Sequence, residues 1–458
     1  MYYAYITRIK NLKPHPNADR LQMGECFGNS VIVSLEYEDN QLGIYFPTDG
    51  QVSMEFAEAN NLLRKKDDAG NNIGGYMDPD KRNITAIRLR GEKSDGLFLP
   101  LCSLSSFGDI DTLIEGDRIN VFNGHEICTK YIPRRNPCSS HREGNKVRKH
   151  KEPIAPTFAE HADTEQLNYN LGAFKSGDKI EITLKMHGTS GRTGYLPIRK
   201  PHHWNSSSIL ASIGLRYLPT DSKLYNWIAN KYATPRYEYG YVSGTRRVVL
   251  ENYEGGYYGS NEFREQHSKA FEGKLWKGET AYYEIVGFTH TGNSIMDNGN
   301  NEKLGKDFVK EYGKETVFSY GCEPGQSDMY VYRMTMTNED GEVVEYTPDF
   351  MRYRCEQMGI KTVPVFWNGT IPENPGSVED PTITAGEWIK DVAEQYYDGP
   401  DPVGKTHIRE GVVVRILNRP KFTAYKTKNF SFKVIEGIIK DSATTPDMEE
   451  AQEVDELS

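Results

Sequence analysis

Short runs of alternating apolar and polar residues recur along most of this chain and constrain its architecture more than any other feature. Between residue 1 and about residue 130 they read SVIVSLEY, LGIYFPTD, ITAIRLRG, GLFLPL and DRINVFN, separated by Gly, Asp and Asn turns. A period of two puts one side of each run on a core and the other toward water, the pattern of antiparallel sheet with one buried face. Strands this short and this regularly punctuated suit a small barrel or sandwich. One helical stretch, MEFAEANNLLRK, interrupts them. From about residue 160, the strands KIEITLKM, TAYYEIVGF, MYVYRMTM and EGVVVRIL alternate with helical stretches such as DFMRYRCEQMG and AGEWIKDVAEQYY. The expected class is α+β on antiparallel sheets, without an internal repeat. At 458 residues the chain is long enough for two or three folded units.

The formal net charge of −10 speaks against a nucleic-acid partner, but its distribution speaks the other way. From Lys130 to Lys151 eight Lys and Arg stand against one Glu, all but Lys130 inside an expected linker over 131–159. That stretch is either a phosphate-binding surface or a solvated connector. The last segment, 441–458, carries seven acids and no base and is expected to be a disordered tail. The 29 tyrosines suit base stacking as well as ordinary core and interface packing. No run approaches 18 apolar residues and the N-terminus has no signal-peptide pattern, so a soluble cytoplasmic protein without a membrane partner is expected. The six cysteines are scattered without a C-x-x-C, which fits reduced thiols. Cys128, Cys138, His141 and His150 match no common zinc spacing.

The stretch GPDPVGKT, Gly399 to Thr406, satisfies the phosphate-loop pattern at every specified position. A working phosphate loop needs a strand before it, a helix after it and free backbone N–H groups. Here a helical stretch comes first and a strand follows, and Pro400 and Pro402 remove two of the donors. The segment reads as a turn feeding the next strand, with Lys405 at most brushing a substrate phosphate.

The chemistry is carried by KIEITLKMHGTSGRTGYL. Ile180, Ile182 and Leu184 alternate inward and run into Lys185, and Gly188 follows three residues later. Downstream come Glu284 in YYEIVG, Tyr332 in YVYRM, Glu410 in REGVVVR, and Lys426 and Lys428 in AYKTK. Singly these are ordinary: a lysine after a strand, solvated carboxylates, edge-strand lysines. In this order they resemble motifs I, III, IIIa, IV and V of the covalent nucleotidyltransferases, the polynucleotide ligases and capping enzymes.

That resemblance implies an ATP-grasp-like ligase adenylylation domain over 160–440, in which Lys185 attacks the α-phosphorus of ATP. An amine with a pKa of about 10.4 needs burial, cations or a metal nearby to be freed as a nucleophile. It further implies that Met186 and Gly188 bring backbone close to the nucleotide. Glu284 and Glu410 would hold ribose hydroxyls and a hydrated Mg²⁺ or Mn²⁺. Lys426 and Lys428, two apart on one strand face, would both reach the α-phosphate. Tyr332 would stack on the purine and Arg246 would meet phosphate, with Arg247 beside it and Arg192 as a further candidate. Leu184 stands where some RNA ligases have Glu, which leaves the purine contact to the backbone near Lys185.

Two further stretches, KPHPNADRLQMGEC and ITAIRLRGEKSDGLFLPL, resemble OB-type tRNA-binding modules such as that of the phenylalanyl-tRNA synthetase β chain. They imply an OB-fold β-barrel over 1–130. Only about 30 residues follow Lys428, too few for a C-terminal OB domain. An N-terminal OB unit followed by a nucleotidyltransferase domain resembles the Deinococcus-type RNA ligases, and KMHGTSGR and MGIKTVPVFWNG do so as well. Segments 197–240 and 290–325 stand out as insertions. The resemblance implies ATP-dependent sealing of RNA 5′-phosphate and 3′-hydroxyl ends, with a nicked duplex as the expected partner. A DNA ligase, a capping guanylyltransferase and a non-catalytic RNA- or tRNA-binding protein are the competing readings. Oligomeric state is left open.

Overall fold

In the computed structural model the alternating runs are strands, and among the described residues every strand pair but one is antiparallel. The structure describes residues 2–66, 72–132, 154–199, 217–219, 222–228, 237–250, 253, 258, 261–376 and 381–441. Most of the basic linker, the acidic tail beyond 441, Cys138, His141, His150 and much of 197–240 lie outside these residues.

The N-terminal strands form separate small sheets. One has the order Leu97–Pro100, Leu42–Phe46, Ala4–Arg8, Arg118–Ile119, and a second joins Lys10–Pro14, Leu21–Cys26 and Asn29–Ser34. A third joins Cys128–Lys130, Gly50–Val52 and Asn83–Ile84. Their inward residues, Ile6, Ile44, Phe46, Phe56 and Leu104 among them, make one core. No closed barrel is found among the described residues: several strands are only two or three residues long and do not carry the hydrogen-bonded ring all the way round. In the stretch HPNADRL, buried His15 accepts at Nδ1 from the Asn17 amide (3.0 Å), which leaves Nε2–H to donate to the Leu89 carbonyl (3.1 Å). The Asn17 side chain donates to the Arg90 carbonyl at 2.9 Å. The signature thus pins the hairpin Ala86–Leu89 / Glu92–Asp95.

Beyond residue 160 two larger sheets carry the fold. A six-stranded sheet has the order Val249–Leu250, Tyr237–Gly244, Thr189–Arg199, Glu279–Gly287, Ser327–Thr337, Val343–Glu345. A five-stranded sheet has the order Glu165–Gln166, Thr423–Lys428, Gly411–Ile416, Lys179–Lys185, Val365–Thr370. The chain leaves the second sheet at Lys185 and enters the first at Thr189, so the Met186–Gly188 turn lies at their junction. Apolar residues of both sheets meet there in a core that includes Leu184, Met186, Ile285, Val331 and Phe432.

The helices are held by their ends and by single anchors. Helix Pro348–Met358 starts at Thr347, whose hydroxyl accepts from the Phe350 amide, and stops at Gly359 in a left-handed turn. Helix Ala385–Glu394 opens with a Thr384–Glu387 capping box and packs Ile389 and Ala393 onto the five-stranded sheet. A C-terminal helix, Phe430–Asp441, precedes the acidic segment. It buries Phe432, Val434 and Ile435.

The segment resembling a phosphate loop follows a helix and precedes a strand, as its sequence order indicates. Its Val403 and Gly404 amides donate to the Asp401 carboxylate at 3.1 and 2.6 Å, which turns them inward. Among the described residues no helix is long and apolar enough to cross a membrane.

Candidate active site

The register of three strands assembles the centre of the site. Lys185 lies opposite Gly411, and Gly411 lies opposite Lys428 on its other side. A β-carbon on Gly411 would sit 2.0 Å from the Thr427 carbonyl oxygen, so only glycine lets the strands approach this closely. Glu410, one residue earlier and 2% exposed, therefore lies between two lysines. Its Oε1 is 2.8 Å from Lys185 Nζ and 3.4 Å from Lys428 Nζ. Gly188 permits a second close approach: a β-carbon there would lie 2.3 Å from the Ile285 carbonyl oxygen and 3.0 Å from Glu284 Cγ. That contact brings the Glu284 strand against the turn after Lys185.

A cavity of about 130 Å³ opens at this junction. Lys185, Met186, Arg246, Glu284, Tyr332 and Lys426 line it. Gly188, Glu410 and Lys428 are not on its wall. The two motif lysines, expected to act alike, are thus divided. Lys426 faces the cavity, whereas Lys428 is buried against Glu410 and against Glu436 at 2.7 Å. Burial pulls the Lys428 pKa down, but Glu436 and Glu410 outweigh it and hold the ammonium above its ordinary value. Burial likewise pushes Glu436 up, and Lys428 and Lys440 override it, holding the carboxyl well below the usual range.

The remaining candidates separate cleanly. The Tyr332 hydroxyl is hydrogen-bonded to His161 Nδ1, which fixes the ring on the cavity wall. Arg246 is paired with Asp163 at 2.8 Å, and Arg247 reaches the same carboxylate at 3.5 Å. Arg192 is withdrawn as a phosphate ligand: it is 1% exposed, donates to the Phe158 and Ala159 carbonyls, and lies 4.3 Å from the Phe158 ring centre.

No family model matches the sequence, and no curated protein sequence does. Solved structures do. A Naegleria gruberi RNA ligase with AMP and Mn aligns at TM-score 0.53 and 17% identity, over 94% of this chain and 97% of that one. The same ligase with pyrophosphate aligns at 0.52 and 17%, over 94% and 97%. A variant of it with ATP and Mn aligns at 0.51 and 15%, over 94% and 98%.

This chain has the fold of an RNA ligase.

Within that RNA-ligase fold, the wall behind Lys185 is built by residues that motif reading passed over. The His187 ring lies edge-on to Phe318 and Phe432, at 4.6 and 4.8 Å between ring centres. The His187 backbone N–H donates to the Tyr320 hydroxyl at 2.6 Å. Burial pushes its pKa down to about 4 against the opposing pull of Glu410, so the imidazole is neutral near pH 7. Phe318 and Tyr320 come from segment 290–325, which stood out in the sequence only as an insertion. Glu436 was missed too; the apolar spacing of Phe430, Val434, Ile435, Ile438 and Ile439 was the signal for its helix.

Among the described residues no group of three or more His, Cys, Asp or Glu is arranged to hold a metal. The carboxylates nonetheless fit a hydrated ion. Glu410 Oε2 is buried and makes no hydrogen bond within the described structure, and Glu284 lies on the cavity wall. Carboxylate oxygens of this kind, with waters and phosphate oxygens filling the other positions, would suit Mg²⁺ or Mn²⁺.

Proposed function

We propose that this chain is an ATP-dependent RNA ligase, joining 5′-phosphate to 3′-hydroxyl ends through a lysyl-AMP on Lys185. The observation that carries the proposal is the Lys185 amine on a cavity wall, 2.8 Å from Glu410, with Glu284, Arg246, Tyr332 and Lys426 around the same space. Structures of the Naegleria gruberi RNA ligase hold ATP, AMP, pyrophosphate and Mn, the substrate and both fragments expected of lysine adenylylation. A nicked duplex in the cytoplasm is the proposed setting. Five described cysteines are free thiols, in keeping with a reducing compartment. Residues 1–130 would be the OB-type nucleic-acid unit, 131–159 the linker, 160–440 the adenylyltransferase and 441–458 the tail.

The residues divide the work as follows. Lys185 loses a proton, to solvent or to the Glu410 carboxylate beside it, and its nitrogen bonds to the α-phosphorus as the bond to the bridging oxygen breaks and pyrophosphate leaves. Lys426 and Arg246, on the cavity wall, stabilise the negative charge on the phosphates, while the charged Lys428 holds Glu410 from behind. Tyr332, fixed by His161, offers a face for the purine. Glu410 and Glu284 would hold a divalent metal, which when bound neutralises phosphate charge. The AMP then passes to a 5′-phosphate, and attack by a 3′-hydroxyl forms the phosphodiester and releases AMP.

The test is incubation with α-labelled ATP and Mg²⁺ or Mn²⁺. A labelled covalent adduct is expected, and Lys185→Ala should abolish it. The absence of an adduct with any nucleotide or metal would falsify the proposal. Sealing of matched nicks with an RNA or a DNA 3′-hydroxyl strand separates RNA ligase from DNA ligase; RNA is the strand expected to be joined.

A further inference from the structure

Six side chains of alternating charge run from the nucleophile to the N-terminal unit without a break. Lys185 pairs with Glu410 at 2.8 Å and Glu410 with Lys428 at 3.4 Å. Lys428 pairs with Glu436 at 2.7 Å, Glu436 with Lys440 at 3.3 Å, and Lys440 with Asp49 at 3.0 Å. The four inner side chains are between 2% and 17% exposed, so water and salt screen them little.

The far end of this series is fixed in place. Asp49 sits in the turn between Leu42–Phe46 and Gly50–Val52 with a left-handed φ of 70°. Its amide donates to the Ile84 carbonyl at 3.0 Å and its carbonyl accepts from the Tyr131 amide at 2.9 Å. A second pair, Lys433 to Asp95 at 2.6 Å, ties the same helix to the N-terminal unit, and Arg88 and Lys93 lie over the Phe430 ring at 5.7 and 5.3 Å. The helix Phe430–Asp441 is therefore clamped by the N-terminal unit along the face that carries Lys433 and Lys440, and Glu436, four residues before Lys440 on that face, meets Lys428 there.

We propose that Glu436 is a positioning residue for lysine adenylylation, and that the N-terminal unit sets its position through Asp49, Lys440 and the C-terminal helix. The inference rests on the adenylylation proposed above and deepens it. Glu410 faces two ammonium groups at once. Glu436 shares the load of Lys428, which leaves Glu410 Oε1 aligned on Lys185. Without Glu436, Lys428 has Glu410 as its nearest carboxylate among the described residues and draws it off the nucleophile, a displacement of the kind that costs rate more than binding. The N-terminal unit thereby becomes part of the adenylylation machinery even before any polynucleotide is bound.

The test measures adduct formation by the full chain with ATP and Mg²⁺, in the absence of RNA. Glu436→Gln should slow adenylylation about 10-fold or more, with KM for ATP within about twofold of wild type. Asp49→Asn and Lys440→Met should each slow it about threefold, and Lys440→Arg, which keeps the charge, should stay near wild type. Thermal midpoints of all variants are recorded alongside. If Glu436→Gln and Asp49→Asn react at the wild-type rate, the positioning role is overturned. The same holds if kcat, KM and thermal midpoint change together and Lys440→Arg behaves like Lys440→Met, since that marks a merely structural contact. A wild-type chain that forms no adduct overturns the ligase reading, and the positioning role with it. A wild-type adduct alongside unaffected variants overturns the positioning role alone.

Discussion

At the scale of single residues, the site depends on which groups keep their charge inside the protein. Lys428 and Glu436 do so because each is the other's closest partner, whereas the buried histidines do not. His267 is the clearest case away from the cavity. It is 7% exposed, its Nε2 meets the Ser327 hydroxyl at 2.9 Å, and burial pushes its pKa down to about 4 against a weaker opposing pull from Asp328. The unfolded chain binds a proton at that imidazole near pH 6.5, while the folded protein refuses it until about pH 4. Between those values the unfolded state holds more protons, so stability falls as pH drops through the window and is level above it. His267→Gln should remove up to about 1.4 kcal/mol per pH unit from that slope. Urea midpoints of both proteins at pH 5, 6 and 7 check this, and parallel profiles would reject it.

At the scale of elements, the strands were legible because a period of two survives in a single sequence. The strand ending at Lys185, the Glu284 strand and the strand opening after Glu410 all fall where the alternation placed them. Lys426 and Lys428 were legible as residues but not as a divided pair, because their partners arrive from other elements: the cavity wall for one, and Glu436, eight residues further on in the C-terminal helix, for the other. The N-terminal runs were legible as strands too, but which edges meet depends on long-range pairing that alternation does not encode. Helix Pro348–Met358 illustrates the same limit. Its sequence reads as amphipathic, yet its strongest anchor is the polar Arg354. That guanidinium, 3% exposed, donates from Nε and Nη2 to the two oxygens of fully buried Glu279, both at 2.8 Å, beneath the Trp276 ring. The Tyr346 hydroxyl and the Trp276 amide complete the carboxylate's shell. Arg354→Met leaves that carboxylate buried without its cation and should cost about 3–5 kcal/mol. Arg354→Met combined with Glu279→Leu should recover much of the loss. Denaturant unfolding of the three proteins measures it, and a single variant within 1 kcal/mol of wild type, roughly the effect of a surface pair, would rule the anchor out.

At the scale of the whole molecule, two attachments stand out among the described residues that join the N-terminal sheets to the rest. One is the C-terminal helix, with Lys433 on Asp95, Lys440 on Asp49, and Phe430 beneath Arg88 and Lys93 in the core that also buries Ala86. The other is a single turn of 3₁₀ helix, Leu167–Tyr169, whose two ends enter different cores. Leu167, 1% exposed, packs beneath the five-stranded sheet with Ile180, Val412 and Ile389. Tyr169, two residues on, stacks on Tyr5 at 4.7 Å, meets Phe27 edge-on at 5.2 Å, and its hydroxyl accepts from the Asn29 side chain at 3.2 Å. The flanking residues tighten the joint, with Asn168 donating to the Asn29 side chain and Arg118 donating to Asn170. With cores linked this way, neither unit loses structure without exposing apolar surface of the other, and the intact chain should unfold in one calorimetric transition. Tyr169→Ala removes the apolar joint at a cost of about 3 kcal/mol by analogy with other large-to-small aromatic changes, while the C-terminal helix still holds. Adding Lys433→Met leaves Asp95 without its ion-pair partner and weakens the second attachment. The double variant should then melt in two resolved transitions, and its excess loss over the summed single losses measures the coupling between the joints. A single transition in the double variant at the wild-type midpoint would show that the units are held together by something other than these two contacts.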